Sequence, residues 1–144
     1  MSIISDAQDA LEAILTAACT GYTVEYGLPL PTQTPERGVF IAEHVQSTLA
    51  TPMSGNPAAQ DTTFTLKVLV HDHRTGKTAK EVRALADAGE ALAIAAIRAN
   101  PTLSGTVSFC TVERTERAGG FWDSNGTARF DERGLELTCK AYSG

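Results

Sequence analysis

Residues 62–71 alternate strictly between two chemistries. Phe64, Leu66, Val68 and Val70 fall on one side of an extended chain, and Thr63, Thr65, Lys67 and Leu69 fall on the other. That period of two predicts a half-buried β-strand whose apolar face must be covered. A cover follows at once. Thr78-Ala-Lys-Glu81 is a capping box, in which the Thr hydroxyl accepts from the backbone three residues on and the Glu carboxylate reaches back. It opens a helix predicted to run to about Asn100, where Pro101 cannot continue it. Its apolar face is Val82, Leu85, Ala86, Gly89, Ala93, Ala96 and Ile97, with Leu92 at the edge. The small residues, Gly89 above all, predict close approach to whatever the helix packs on. Residues 72–76 between strand and helix read as a turn.

The flanking segments fit the same plan. Ser5-Asp-Ala-Gln8 reads as a second capping box, with Ile4 as a staple and Gly21 as the stop. Between them Ala7, Ala10, Leu11, Ile14, Leu15 and Ala18 form one stripe at helical spacing. Tyr22, Val24 and Tyr26 alternate with polar residues as a short strand, and residues 39–47 read as another. A strand over 106–113 has Val107 and Phe109 as anchors and Val112 as a candidate third. A last strand over 128–141 turns Leu135, Leu137 and Cys139 inward, with Gly134 marking a bulge. Residues 27–38, with Pro29, Pro31 and Pro35, read as an irregular connection. Residues 48–61 and 114–127 are polar and rich in small residues, and both read as long exposed loops. The expectation is therefore a single α+β domain over residues 1–144: an antiparallel sheet of four to five strands with two main helices packed on one face.

Charge and cysteines narrow the function classes. With 12 basic and 17 acidic residues the net charge is −5, and no basic run is present. Such a chain is a poor match to a phosphate backbone. Cys19, Cys110 and Cys139 are odd in number and widely spaced, which reads as three reduced, partly buried thiols rather than a disulfide framework. A contact between Cys110 and Cys139 across adjacent strands is compatible with that reading. The first residues lack a basic region followed by an apolar stretch, and no apolar run approaches the length of about 20 residues that spans a bilayer. The expected starting compartment is the cytosol, with no membrane partner.

No phosphate-binding glycine loop, nucleophile elbow or paired carboxylate can be identified, so no catalytic and no cofactor-binding residue is assigned and no cofactor is expected. His71-Asp-His73 is the one suggestive triplet, and His71 and His73 are weak candidates for a metal site. The third histidine, His44, lies on another predicted strand, and Asp72 would point away from the two imidazoles while the strand persists. A polar strand end is the preferred reading. Candidate interface residues sit in the two predicted loops: Ser54 and Asn56 in the first, and Arg114, Arg117, Phe121, Trp122 and Asn125 in the second. Trp122, the single tryptophan, and its neighbouring arginines belong to the residue types that dominate binding hot spots.

Three passages carry a resemblance: the strand Phe64-Thr-Leu-Lys-Val-Leu-Val, the link Ile97-Arg-Ala-Asn-Pro-Thr-Leu-Ser-Gly-Thr-Val107, and the closing Gly134-Leu-Glu-Leu-Thr-Cys-Lys-Ala-Tyr142. In order and length over most of the chain, this resembles the tail terminator (tail completion, or minor tail) proteins of long-tailed bacteriophages. The resemblance implies a structural virion protein of the tail, not an enzyme, assembled in the host cytoplasm. It would form a homo-hexameric ring that caps the tail tube, stops its polymerisation and offers a surface for head joining. Its implied partners are itself, the major tail tube protein and the head connector protein, with DNA passing through the lumen without specific binding. The Gly119-Gly-Phe-Trp122 segment and the long first tip depart from the family pattern. Two other readings remain: a head–tail connector or neck assembly protein, and, from a different class, a small metal- or ligand-binding domain.

Overall fold

The computed structural model describes residues 2–29, 35–43, 45–47, 51–53, 56–122, 126 and 128–143; for 51–53, 56–61, 118, 119, 121, 142 and 143 the description is of the backbone. The chain runs α1 (Ile3–Ala18), β1 (Thr23–Tyr26), β2 (Arg37–Ile41), β3 (Gln46–Ser47), β4 (Thr51–Met53), β5 (Asn56–Thr75), α2 (Ala79–Ala99), β6 (Phe109–Trp122) and β7 (Ala128–Ser143). The strands form one sheet in the order β1-β2-β5-β7-β6, with β3 and β4 also pairing β5.

The α+β class with two helices holds, but the sheet is mixed. β1 runs parallel to β2, and the remaining pairs are antiparallel. β1 ends at Tyr26 and β2 begins at Arg37; a connection of that length can return the chain to the same end of the sheet, which a tight hairpin cannot.

The alternation that opened the case is the core. Phe64, Leu66, Val68 and Val70 are all buried, in one cluster with Leu135, Leu137 and Cys139 of β7, Val39 and Ile41 of β2, Ala7, Leu11 and Leu15 of α1, and Ala93, Ala96 and Ile97 of α2. Both helices therefore cover the same sheet face. Gly89 is where α2 comes closest: a Cβ there would lie 3.0 Å from a Val70 methyl and 3.1 Å from the Tyr22 ring. The Thr78–Glu81 capping box is fully formed, at 3.2 Å and 3.0 Å.

Several expectations need correction. α1 starts earlier than its predicted box: the cap is Ser2, whose hydroxyl accepts from the Ser5 N–H at 3.4 Å. Gln8 does not reach back to a cap. It is buried and donates to the Ala42 carbonyl at 3.2 Å, because the core offers it a carbonyl that needs a partner. The predicted strand 39–47 is broken after Ile41, and β3 resumes at Gln46. Residues 72–75 are strand, not turn; the turn is left to Gly76, at φ +74°. The loops predicted over 48–61 and 114–127 are mostly strand. β4 and the start of β5 occupy the first, with residues 48–50, 54 and 55 outside the described residues. β6 runs to Trp122 in the second, with 123–125 and 127 outside them. Finally, the inward phase of β6 is set by Cys110, which is buried, while Phe109 is 38% exposed. Gly134 sits in unbroken register on both sides; the irregularities lie on β6, between Val112 and Arg114 and between Arg117 and Gly119.

Among the described residues, no helix is long and apolar enough to cross a membrane.

Candidate functional site

Continuation of β5 past His71 decides the fate of the histidine triplet. Successive side chains of a strand point to opposite faces, so His71 and His73 share the face away from the helices while Asp72 lies on the helix side. His71 is buried. Its ring is 5.1 Å from that of Phe40 and 5.8 Å from that of Phe130, and its Nε2 lies 3.0 Å from the Pro35 carbonyl oxygen. Gly38 makes room for this packing, since a Cβ there would collide with the Phe40 ring. His73 stacks on Phe130 with ring centroids 4.2 Å apart and the ring planes nearly parallel. Burial pushes the His71 pKa below its ordinary 6.5. Among the described residues, no group of three or more His, Cys, Asp or Glu is placed to hold a metal ion. The two imidazoles close a small aromatic cluster on the outer face, under Pro35.

Asp72 belongs to a different assembly on the helix side. It accepts from Arg74 Nε at 2.6 Å and faces Arg37 Nε across 3.8 Å. Arg74 also reaches Glu36 at 2.9 Å, and Arg37 donates to the Tyr22 hydroxyl at 2.6 Å. Alongside lies Arg133, only 1% exposed. It donates to Asp131 at 2.9 Å, to Asp87 of α2 at 2.6 Å and to Glu90 at 3.4 Å. Burial opposes charge on this guanidinium, but the hydrogen bonds to Asp131 and Asp87 outweigh it and hold the Arg133 pKa above its usual range. The same contact from Arg133 lowers the Asp87 pKa, against partial desolvation. No sequence motif singles out Asp87, Glu90 or Arg133. A signal was present: Asp131 and Arg133 stand in phase with Leu135, Leu137 and Cys139, so charges occupy inward positions of a core strand.

The candidate interface residues do not form one patch. Arg114 pairs with Glu136 at 3.2 Å on the outer face, its side chain 69% exposed. Arg117 pairs with Asp87 at 3.0 Å on the helix side. Trp122 lies at the end of β6, 53% exposed, with the Arg129 guanidinium 4.1 Å from its ring centroid. It is eight residue steps along β6 from Arg114, roughly 26 Å at the usual rise. Asn56 is at the start of β5 and Phe121 is opposite Phe130; their backbones are described. Ser54 and Asn125, like His44, lie outside the described residues. Beside Arg114, Gly134 leaves a hollow of about 110 Å³ on the outer face, lined by Lys67, Leu69, Arg114, Glu116 and Glu136.

Cys110 and Cys139 face each other in register across β6 and β7, both buried and both free thiols. The Cys139 pKa is raised well above its ordinary range, first by its hydrogen bond with Cys110 and then by burial.

What the arrangement offers is surface. β5, β7 and β6 are 20, 16 and 14 residues long, where strands usually run 3–10. Among the described residues the apolar core takes only Phe64–Val70 of β5, Leu135–Cys139 of β7, and Cys110 and Val112 of β6, so each strand runs on past that core. No family model matches this chain, and no curated protein matches it.

Proposed function

We propose that this protein is a structural assembly subunit of the tail terminator type, rather than an enzyme: it closes into a hexameric ring on the end of a phage tail tube, stops its growth and presents a surface for head joining. The observation that carries the reading is the length of β5, β6 and β7 relative to their core. A small domain has no folding need for strands of this length, whereas a subunit held by neighbours on several sides does. The sequence resemblance names the kind of assembly, and the exposed Arg114 on the outer face and Trp122 at the end of β6 suit contacts between proteins. On this reading the protein resides in the virion tail, and its partners are its own copies, the tube protein and the head connector.

Native mass spectrometry with negative-stain imaging tests the proposal. The expected result is a ring of six copies that halts elongation when added to polymerising tube protein. A chain that stays monomeric at millimolar concentration and leaves tube length unchanged overturns it.

A further inference from the structure

Four rows cross the five strands of the main sheet, and three of them meet β6 within its regular stretch. Val24, Val39, Val70, Arg133 and Arg117 form one; Glu25, Phe40, Leu69, Gly134 and Glu116 the next; Tyr26, Ile41, Val68, Leu135 and Thr115 the third. The outermost members of these rows belong to β1 and β6. Among the described residues, β1 pairs only with β2 and β6 only with β7, so both outer strands are open edges. They lie level with each other.

Their directions are also compatible. β1 is parallel to β2; β2, β5, β7 and β6 then alternate. β6 therefore runs opposite to β1. Side-by-side repetition of the molecule sets β1 of one copy antiparallel to β6 of the next, which is the better-paired arrangement. The lengths agree as well. β1 has four residues, and the two irregularities of β6 leave Arg114, Thr115, Glu116 and Arg117 as its uninterrupted stretch.

Side-chain chemistry selects the register. Direct level pairing sets Glu25 against Glu116, which is unfavourable. A shift of one residue exchanges the two sheet faces, whereas a shift of two keeps them. The shift of two sets Glu25 opposite Arg114 on the outer face and Val24 opposite Thr115 on the helix side. Glu25 and Arg114 are both exposed, so each can meet a neighbouring copy. An open, level edge at each end of one sheet is a liability unless covered. Here each edge supplies what the other lacks.

We propose that β1 of one copy pairs antiparallel with β6 of the next, Thr23, Val24 and Glu25 lying opposite Glu116, Thr115 and Arg114, as the head-to-tail contact that builds the ring. This rests on the ring reading above. The contact uses two different surfaces of one chain, so it propagates, and it closes if the rotation between copies allows.

A charge swap tests it. Glu25→Arg and Arg114→Glu are made singly and together, with circular dichroism to confirm folding, and ring formation is followed by native mass spectrometry. Each single variant is expected to assemble at least tenfold more weakly. The double variant is expected to recover. An equimolar mixture of the two single variants is expected to rebuild rings of strictly alternating composition, since each then meets its complement on both sides. Single variants that form rings as readily as the unchanged protein overturn the contact while leaving the ring intact as a function. So does loss in the single variants without recovery in the double variant or the mixture. An unchanged protein that forms no ring removes the assembly reading itself.

Discussion

The helix-covered face of β5 and β7 contains two neighbourhoods in one alternating phase. At one end Phe64, Leu66 and Val68 lie opposite Cys139, Leu137 and Leu135. A few residues on, Val70 and Asp72 lie opposite Arg133 and Asp131. Both are buried under helices. The first is held by apolar contact, which degrades gradually as atoms are removed. The second is held by charges taken out of water, which tolerate the loss of a partner poorly. The difference teaches that burial alone does not say how a region responds to change; the cost depends on what each side chain leaves behind.

Breaking the charged end is expected to have the largest effect. Arg133→Ala leaves Asp131 buried without its partner and should cost about 3–5 kcal/mol, read as a lower urea midpoint. Replacing the pair with apolar residues, Arg133→Met with Asp131→Val, should recover most of that loss; a double variant no more stable than the single one would show that the network with Asp87 and Glu90 matters more than the pair. At the apolar end, Leu66→Ala removes a fully buried side chain and should cost about 3 kcal/mol.

Smaller effects sharpen the contrast. Gly89→Ala gains helix propensity of about 1 kcal/mol, but the new methyl meets Val70 and Tyr22, and Tyr22 is held by its bond to Arg37. A net loss of about 1 kcal/mol is expected in thermal melts. His71 introduces a pH dependence. Its folded pKa is depressed, so the unfolded chain binds the proton first; stability is whole above about 6.5 and falls as pH drops below that value. His71→Leu should flatten the slope of stability between pH 6.5 and 5, whatever it does to the absolute value. Least of all, Arg114→Ala breaks an exposed pair and should change stability by less than about 1 kcal/mol. Set beside Arg133, it compares two arginines that a composition count treats alike.

Legibility in the sequence followed the same physics. Where one face is buried and the other wet, as at Phe64, Leu66, Val68 and Val70, the alternation and its phase could be read directly. The Thr78–Glu81 box was legible because local hydrogen bonds create it. β6 beyond Val112 was not: an edge strand exposed along its length needs no apolar alternation, so Arg114, Thr115, Glu116 and Arg117 resemble loop residues. Phe109 was misplaced for another reason: Val107, which set its expected phase, precedes the strand, which starts at Phe109. The parallel pairing of β1 with β2, and the insertion of β7 between β5 and β6, depend on long-range contacts that no local pattern encodes. The ion cluster was half legible. Charges in phase with a core strand could be seen, but their helix partners, Asp87 and Glu90, could be matched only in space.

The three cysteines have a practical consequence. All are buried, Cys19 as the C-cap of α1 and the facing pair within β6 and β7, and burial raises the pKa of Cys19 while that of Cys139 is raised first by its neighbour. An alkylating reagent attacks thiolate that solvent can reach, so the folded chain should react slowly, at rates set by opening rather than by chemistry. Cys19 would then report release of the first helix, and the Cys110–Cys139 pair would report separation of the sheet: two clocks built into one molecule, with no engineered cysteine.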